Sequence, residues 1–286
     1  MEEEKKDSDS SDEGGDGAGG RGKDKISAKK SKKKASASAS TSTRKLSKDE
    51  DTWPKDLPDD FEHYERNWNN YLRAAMLQGF LGFCWAVAIV RCIEALLAIT
   101  RNVVVELSPQ HLVNNTRNKD KTTGEVRKYN EIRRFLTNQG LVIERACPYS
   151  GKMNQDCPKS CLKCDEPVVK IRELVYIKGK EVNEKELIKM VDRRPILAVV
   201  EAYTSFQDYK SGIYEGSTDH KEGSLGRHVV IVSGFGSTSE GVNYWIIQNS
   251  WGTQWGENGY GKIIRESSRN GKPSLFLKAI RLEVLV

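Results

Sequence analysis

No long hydrophobic run occurs anywhere in these 286 residues. Nothing after Met1 has the apolar region of a signal peptide, and no stretch approaches the roughly 20 residues of a membrane-spanning helix. The expectation is therefore a soluble, unsecreted protein without membrane contact, intracellular in either the cytoplasm or the nucleus. Aliphatic and aromatic side chains are almost missing from residues 1–51, so burial there cannot offset the entropy of ordering the chain. A disordered, low-complexity charged tail is expected over 1–51, and a folded domain over 52–286. The tail begins acidic, passes through Gly and Asp, and carries the basic run Lys29, Lys30, Lys32, Lys33 and Lys34 before alternating Ala and Ser. That run reads either as a solvated tail or as a nuclear-import or polyanion-binding patch. It lacks interleaved aromatics, and no groove-reading motif occurs in the chain. The net charge of +6 therefore leaves nucleic-acid contact to the basic tail alone.

Histidine is scarce too, with four in the chain. Only His228 lies in a recognisable motif; His63, His111 and His220 read as surface or loop residues. The segment GFCWAVA around Cys84 is followed by Arg227-His228-Val229 and then by Asn249-Ser250-Trp251-Gly252. A thiol is only partly ionised near neutrality, so acyl transfer by sulfur needs a base for its proton and a third group to orient that base. Cysteine, histidine and asparagine can fill those roles. His228 lies about 144 and Asn249 about 165 residues after Cys84, the first within and the second modestly beyond the interval common for such enzymes.

The fold class expected is α+β. From Phe83 to about Thr100, Trp85, Ala88, Ile89, Cys92, Leu96 and Ile99 recur at threes and fours, the stripe of a core helix. Cys84 then sits at the N-terminus of that helix, where free amides and the helix dipole favour a thiolate. Further helices are predicted over Ser108–Arg117, over Asn130–Gln139 with Gly140 as the stop, and in VNEKELIKMV from Val182. After about Val168 the texture changes to β-rich runs, VVKIRELVYI, PILAVVEA, HVVIVSGF, YWIIQNSW and GYGKIIRE, which read as a β-barrel.

From about Leu57 onward the chain resembles the papain-like cysteine proteases, the papain and cathepsin group. Gln78-Gly79 stands six residues before Cys84, followed by Cys84-Trp85-Ala86, then LSPQHLV from Leu107, Pro148-Tyr149, FQDYKSGIYEG from Phe206, HVVIVSGFG from His228 and YWIIQNSWGTQWGENGYGKI from Tyr244. The resemblance implies a two-lobe papain-like fold, a helical lobe over about 52–165 against a barrel lobe over about 166–286. It further implies Cys84 as nucleophile, His228 as general base and acid, Asn249 as the group that orients the imidazole, and Gln78 as oxyanion donor. Trp251 would roof His228 and Asn249, and Val199 and Val229 would line an apolar pocket for the side chain two positions from the scissile bond. Trp255 reads as core. No metal or organic cofactor is needed; the partners implied are a peptide or protein substrate and a protein inhibitor, with oligomeric state open.

Several features depart from that pattern. Leu81 and Asn114-Asn115 stand where the family has cysteines, so the usual bridges of the helical lobe are expected to be absent or rewired, which suits a reducing compartment. The family's substrate-binding glycine pair has no evident counterpart in NNTRNKDKTTGE, and because only the low-complexity tail stands before the matching region, the family's helical propeptide is expected to be missing. Phe83 replaces a small serine beside the thiol. Arg227 precedes the histidine, and its charge is expected to disfavour the imidazolium. Cys147, Cys157, Cys161 and Cys164 admit local disulfides, free thiols or a tetrahedral zinc site. Three functions follow from these residues: a cysteine-type peptidase, a catalytically weak peptide-binding or scaffolding relative, and a nucleic-acid accessory protein acting through the tail.

Overall fold

A computed structural model describes residues 65–157, 169–219 and 221–285. The tail and basic run, His63, His220, Cys161, Cys164 and the lobe boundary near 165 lie outside the described residues. Strand β1 (Arg66–Asn67) is followed by helices α1 (Cys84–Arg101), α2 (Pro109–Asn115) and α3 (Asn130–Asn138). Then come β2 (Ile171–Lys178), α4 (Glu184–Arg193), β3 (Ile196–Tyr203), α5 (Thr204–Gln207) and β4 (Ile213–Tyr214). Strands β5 (Ser224–Ser237), β6 (Asn243–Gln248), β7 (Tyr260–Ile264) and β8 (Phe276–Val284) complete the chain. Hydrogen bonding runs β2-β8-β3-β5-β6-β7-β4, with β1 added to β5; all pairs are antiparallel except β4 with β7.

Period-two alternation sorts the central strands between two cores. On β3, Leu197 and Val199 face the core shared with the helices, while Ile196, Ala198 and Val200 face a second core. On β5, Val229 and Ile231 belong to the first, Val230 and Val232 to the second. Burial on both faces explains why these strands are continuous apolar runs rather than alternating ones. The second core is closed by α4, α5, Trp245 and Trp255. At Gly234 a Cβ would stand 2.1 Å from the Arg66 carbonyl, so β1 can lie on β5 only over a glycine.

Helix α1 is buried continuously from Cys84 to Leu97, a wider burial than the predicted stripe, and ends at Asn102 in the left-handed region (φ 54°). Arg91 and Glu94 are inside as well, 2.8 Å apart, and Glu94 Oε1 accepts the Leu107 amide at 2.7 Å. Ser108 caps α2 by accepting the His111 amide at 2.9 Å, with Pro109 in the first turn. His111 is thus helical and half-buried against Phe135, not a loop residue. Cys147 and Cys157 form a disulfide, and the Asn114 amide donates to the Gln155 carbonyl at 2.5 Å beside it. The bridge takes two of the four clustered thiols out of any zinc site. Among the described residues, no helix is long and apolar enough to cross a membrane.

Candidate active site

Cys84 opens α1, whose preceding residue Phe83 offers no side-chain cap. The main-chain amides of Val229, Trp85 and Cys84 itself favour the thiolate instead. Burial pushes its thiol up to about 11 against these amides, and Glu125 adds a further upward push.

His228 is supplied by β5 and Asn249 by the turn after β6. Asn249 Oδ1 accepts the Ser250 amide at 2.7 Å and lies 2.6 Å from His228 Nε2. An atom that takes a main-chain N–H must be the oxygen, so Nε2 carries the ring proton and Nδ1 holds the lone pair of the neutral imidazole. Asn249 Nδ2 is buried without a partner. Trp251 covers the imidazole with ring centroids 4.4 Å apart, and is braced by Phe206 at 5.7 Å and Trp255 at 6.0 Å. Burial lowers His228 to about 4, and the Asn249 hydrogen bond only partly opposes it. The direction is the one expected from Arg227, but the cause is desolvation. Burial thus works against charge on both groups, raising the thiol and lowering the imidazole.

Gln78 is held at both ends of its amide. Ser250 Oγ donates to Oε1 at 2.6 Å and Nε2 donates to the Leu81 carbonyl at 2.9 Å, which fixes the amide's orientation and leaves the second Nε2 hydrogen free. Gln78, Cys84, His228 and Trp251 line one cavity of about 400 Å³. Val199 and Val229 line a second, of about 380 Å³, which also reaches Cys84. This second cavity is not apolar throughout: Tyr129, Tyr176, Glu201, Arg227 and Lys278 contribute to it. Sequence reasoning missed Glu125, which borders both cavities. It sits on a turn in which Asp120 Oδ1 accepts the amides of Thr122 and Thr123. The turn docks on the site through the Gly82 amide, which donates to the Thr123 carbonyl at 2.7 Å, and the Trp85 indole, which donates to the Gly124 carbonyl at 3.0 Å. Phe83 is buried beneath it: a Cβ on Gly124 (φ 78°) would meet the Phe83 ring at 2.6 Å. The Phe83 ring thus supports the turn that leads into Glu125.

The profile of the papain family cysteine proteases matches residues 57–274. The chain belongs to that family. Among curated relatives of this papain-family chain, the probable cysteine protease RDL3 of Arabidopsis thaliana is 33% identical over 217 residues, 73% of this chain and 54% of the relative. The KDEL-tailed cysteine endopeptidase CEP2 of the same plant is 36% identical over 195 residues, 66% of this chain and 50% of the relative. This chain thus spans about half the length of the curated relatives it matches. Bromelain from Ananas comosus, solved in complex with E64, superposes with a TM-score of 0.62 at 25% identity, covering 77% of this chain and 99% of bromelain. The two-lobe papain-like fold is thereby established.

The relatives overturn the expectation of a cytoplasmic or nuclear location. CEP2 is described as KDEL-tailed, a tail read as an endoplasmic-reticulum retention address. The Cys147–Cys157 bridge also belongs to oxidising surroundings rather than to the reducing compartment inferred from the missing family cysteines.

Proposed function

We propose that this papain-family chain hydrolyses peptide bonds as a cysteine peptidase, with Cys84 as nucleophile and His228 as general base and acid. Cys84 Sγ attacks the scissile carbonyl as its proton passes to His228 Nδ1. Burial disfavours a charge on either partner alone. Asn249 Oδ1 then holds a doubly protonated ring, and its hydrogen bond strengthens as charge appears. The carbonyl oxygen, now negative, takes the Cys84 amide and the free Gln78 Nε2 hydrogen, donors typically worth about 2.7–4 kcal/mol each in a transition state. His228 protonates the leaving amine, a thioester remains on Cys84, and water activated by the same imidazole hydrolyses it. Trp251 keeps bulk water from the His228–Asn249 bond.

The observation that carries this reading is the meeting of Cys84, His228 and Gln78 on one cavity, with the imidazole tied to Asn249 at 2.6 Å. Named relatives that are proteases support it, and support neither a binding-only nor a nucleic-acid reading. The test is labelling with a peptidyl epoxide together with turnover of dipeptidyl fluorogenic substrates. The wild type is expected to label once and to turn over, and Cys84→Ala to do neither. Labelling that persists in Cys84→Ala would refute the assignment.

A further inference from the structure

The cavity that reaches Cys84 from the side of Val199 and Val229 contains a cation, Lys278, with no counter-ion among the described residues. In the register of the sheet Val199 lies opposite both Lys278 and Val229, so the three form one row across β8, β3 and β5. The valines give the cavity an apolar wall, and Tyr129 and Tyr176, stacked with centroids 5.4 Å apart, give it an aromatic one. Lys278 Nζ sits 5.4 Å from the centre of the Tyr176 ring, half-buried, and among the described residues no carboxylate lies within ion-pair distance of it.

The remaining charges of the cavity offset one another in number. Glu201 faces Arg227 across β3 and β5, and Ser224 donates to its Oε1. Glu125 and Arg127 lie exposed on the segment before α3. Among the described lining residues one positive charge, that of Lys278, is left over. A half-buried ammonium held only by a ring face has lost part of its water without gaining an anion, and an anionic guest is the group that restores the balance. A basic side chain would meet like charge, and a purely aliphatic one would leave the ammonium still less hydrated and still unpaired.

We infer that Lys278 determines the specificity of this cavity, which selects an aspartate or glutamate side chain of the peptide, methylenes on Val199 and Val229 and carboxylate on the Lys278 ammonium. The inference rests on the peptidase reading above and names the substrate class of the same site.

The experiment compares second-order rates of Cys84 labelling by peptidyl epoxides that differ only in the residue entering this cavity: Glu, Gln, Leu or Lys. Labelling does not require turnover. The wild type is expected to react with the Glu probe roughly fivefold faster than with its Gln isostere at low salt, the margin shrinking as salt is added. Lys278→Met should bring that ratio to about one, Lys278→Arg should keep it, and Lys278→Glu should favour the Lys probe. Equal wild-type rates for the Glu and Gln probes, or a ratio untouched by Lys278→Met, overturns the inference while the labelling itself leaves the peptidase reading standing. Absence of any labelling that depends on Cys84 overturns that reading, and the inference falls with it.

Discussion

At Cys84, opposing influences set the reactivity of one sulfur. Burial raises the thiol to about 11, the amides of Val229 and Trp85 pull it back, and the Glu125 carboxylate raises it again through space. Of these, Glu125 alone is an exposed side chain that can be changed without disturbing α1 or β5. Glu125→Gln should therefore lower the thiol's ionisation range and speed its alkylation near neutrality by roughly twofold, as fits one partly screened charge. Iodoacetamide rates followed across pH provide the measurement, and superimposable profiles would remove Glu125 from the account. The contrast between Cys84 and Glu125 explains which site residues were legible in the sequence. Cys84, Gln78, His228 and Asn249 each lie in a short run whose residue types and order are distinctive. Glu125, Tyr176 and Lys278 come from a turn and two strands that meet only through tertiary packing, and TTGE or FLKA carries no local pattern announcing it.

Among the elements, α1 ties the site to the fold, because the residue that carries the thiol begins a helix with a buried ion pair at its centre. Arg91 and Glu94 lie 2.8 Å apart with side chains 10% and 3% exposed, and Glu94 also receives the Leu107 amide. Burial pushes the Glu94 carboxyl up while Arg91 holds it down. Glu94→Ala strands a buried guanidinium and a buried amide together, and is expected to cost about 3–5 kcal/mol, read as a lowered urea midpoint. A loss below 1 kcal/mol would mean that water or Glu106 already satisfies Arg91. Periodicity made α1 readable as a helix, though not the inclusion of Arg91 and Glu94 in its buried surface. Strands β3 and β5 were readable because burial on both faces leaves few polar residues. Strand β8 escaped notice because Lys278, Arg281 and Glu283 interrupt its apolar residues; its Ile280, Leu282 and Val284 nonetheless reach the core shared with the helices.

For the whole molecule, burying Cys84 and His228 links stability to pH at each end of the range. His228 falls from an ordinary value of 6.5 to about 4. Between those values the unfolded chain binds a proton that the folded chain refuses, so stability is full above about pH 6.5 and declines as pH falls towards 4. The scale of that loss is on the order of 3 kcal/mol for a group so deeply buried. Lowered His111 acts in the same sense, whereas Glu94 and Glu144, raised by burial, take up protons in the folded state first and soften the decline at its acid end. On the alkaline side Cys84 rises from 9.0 to about 11 and Cys92 from 9.0 to about 12. The unfolded chain there gives up protons that the folded chain keeps, so stability present below about pH 9 is lost as pH climbs. Urea midpoints measured from pH 4.5 to pH 10 with the Cys147–Cys157 bridge intact should trace a plateau flanked by two limbs. His228→Gln removes one ionisable group from the acid limb and should flatten it, leaving the alkaline limb in place. Identical acid limbs in wild type and variant would show that burial does not depress His228, and would refute this account of the acid limb.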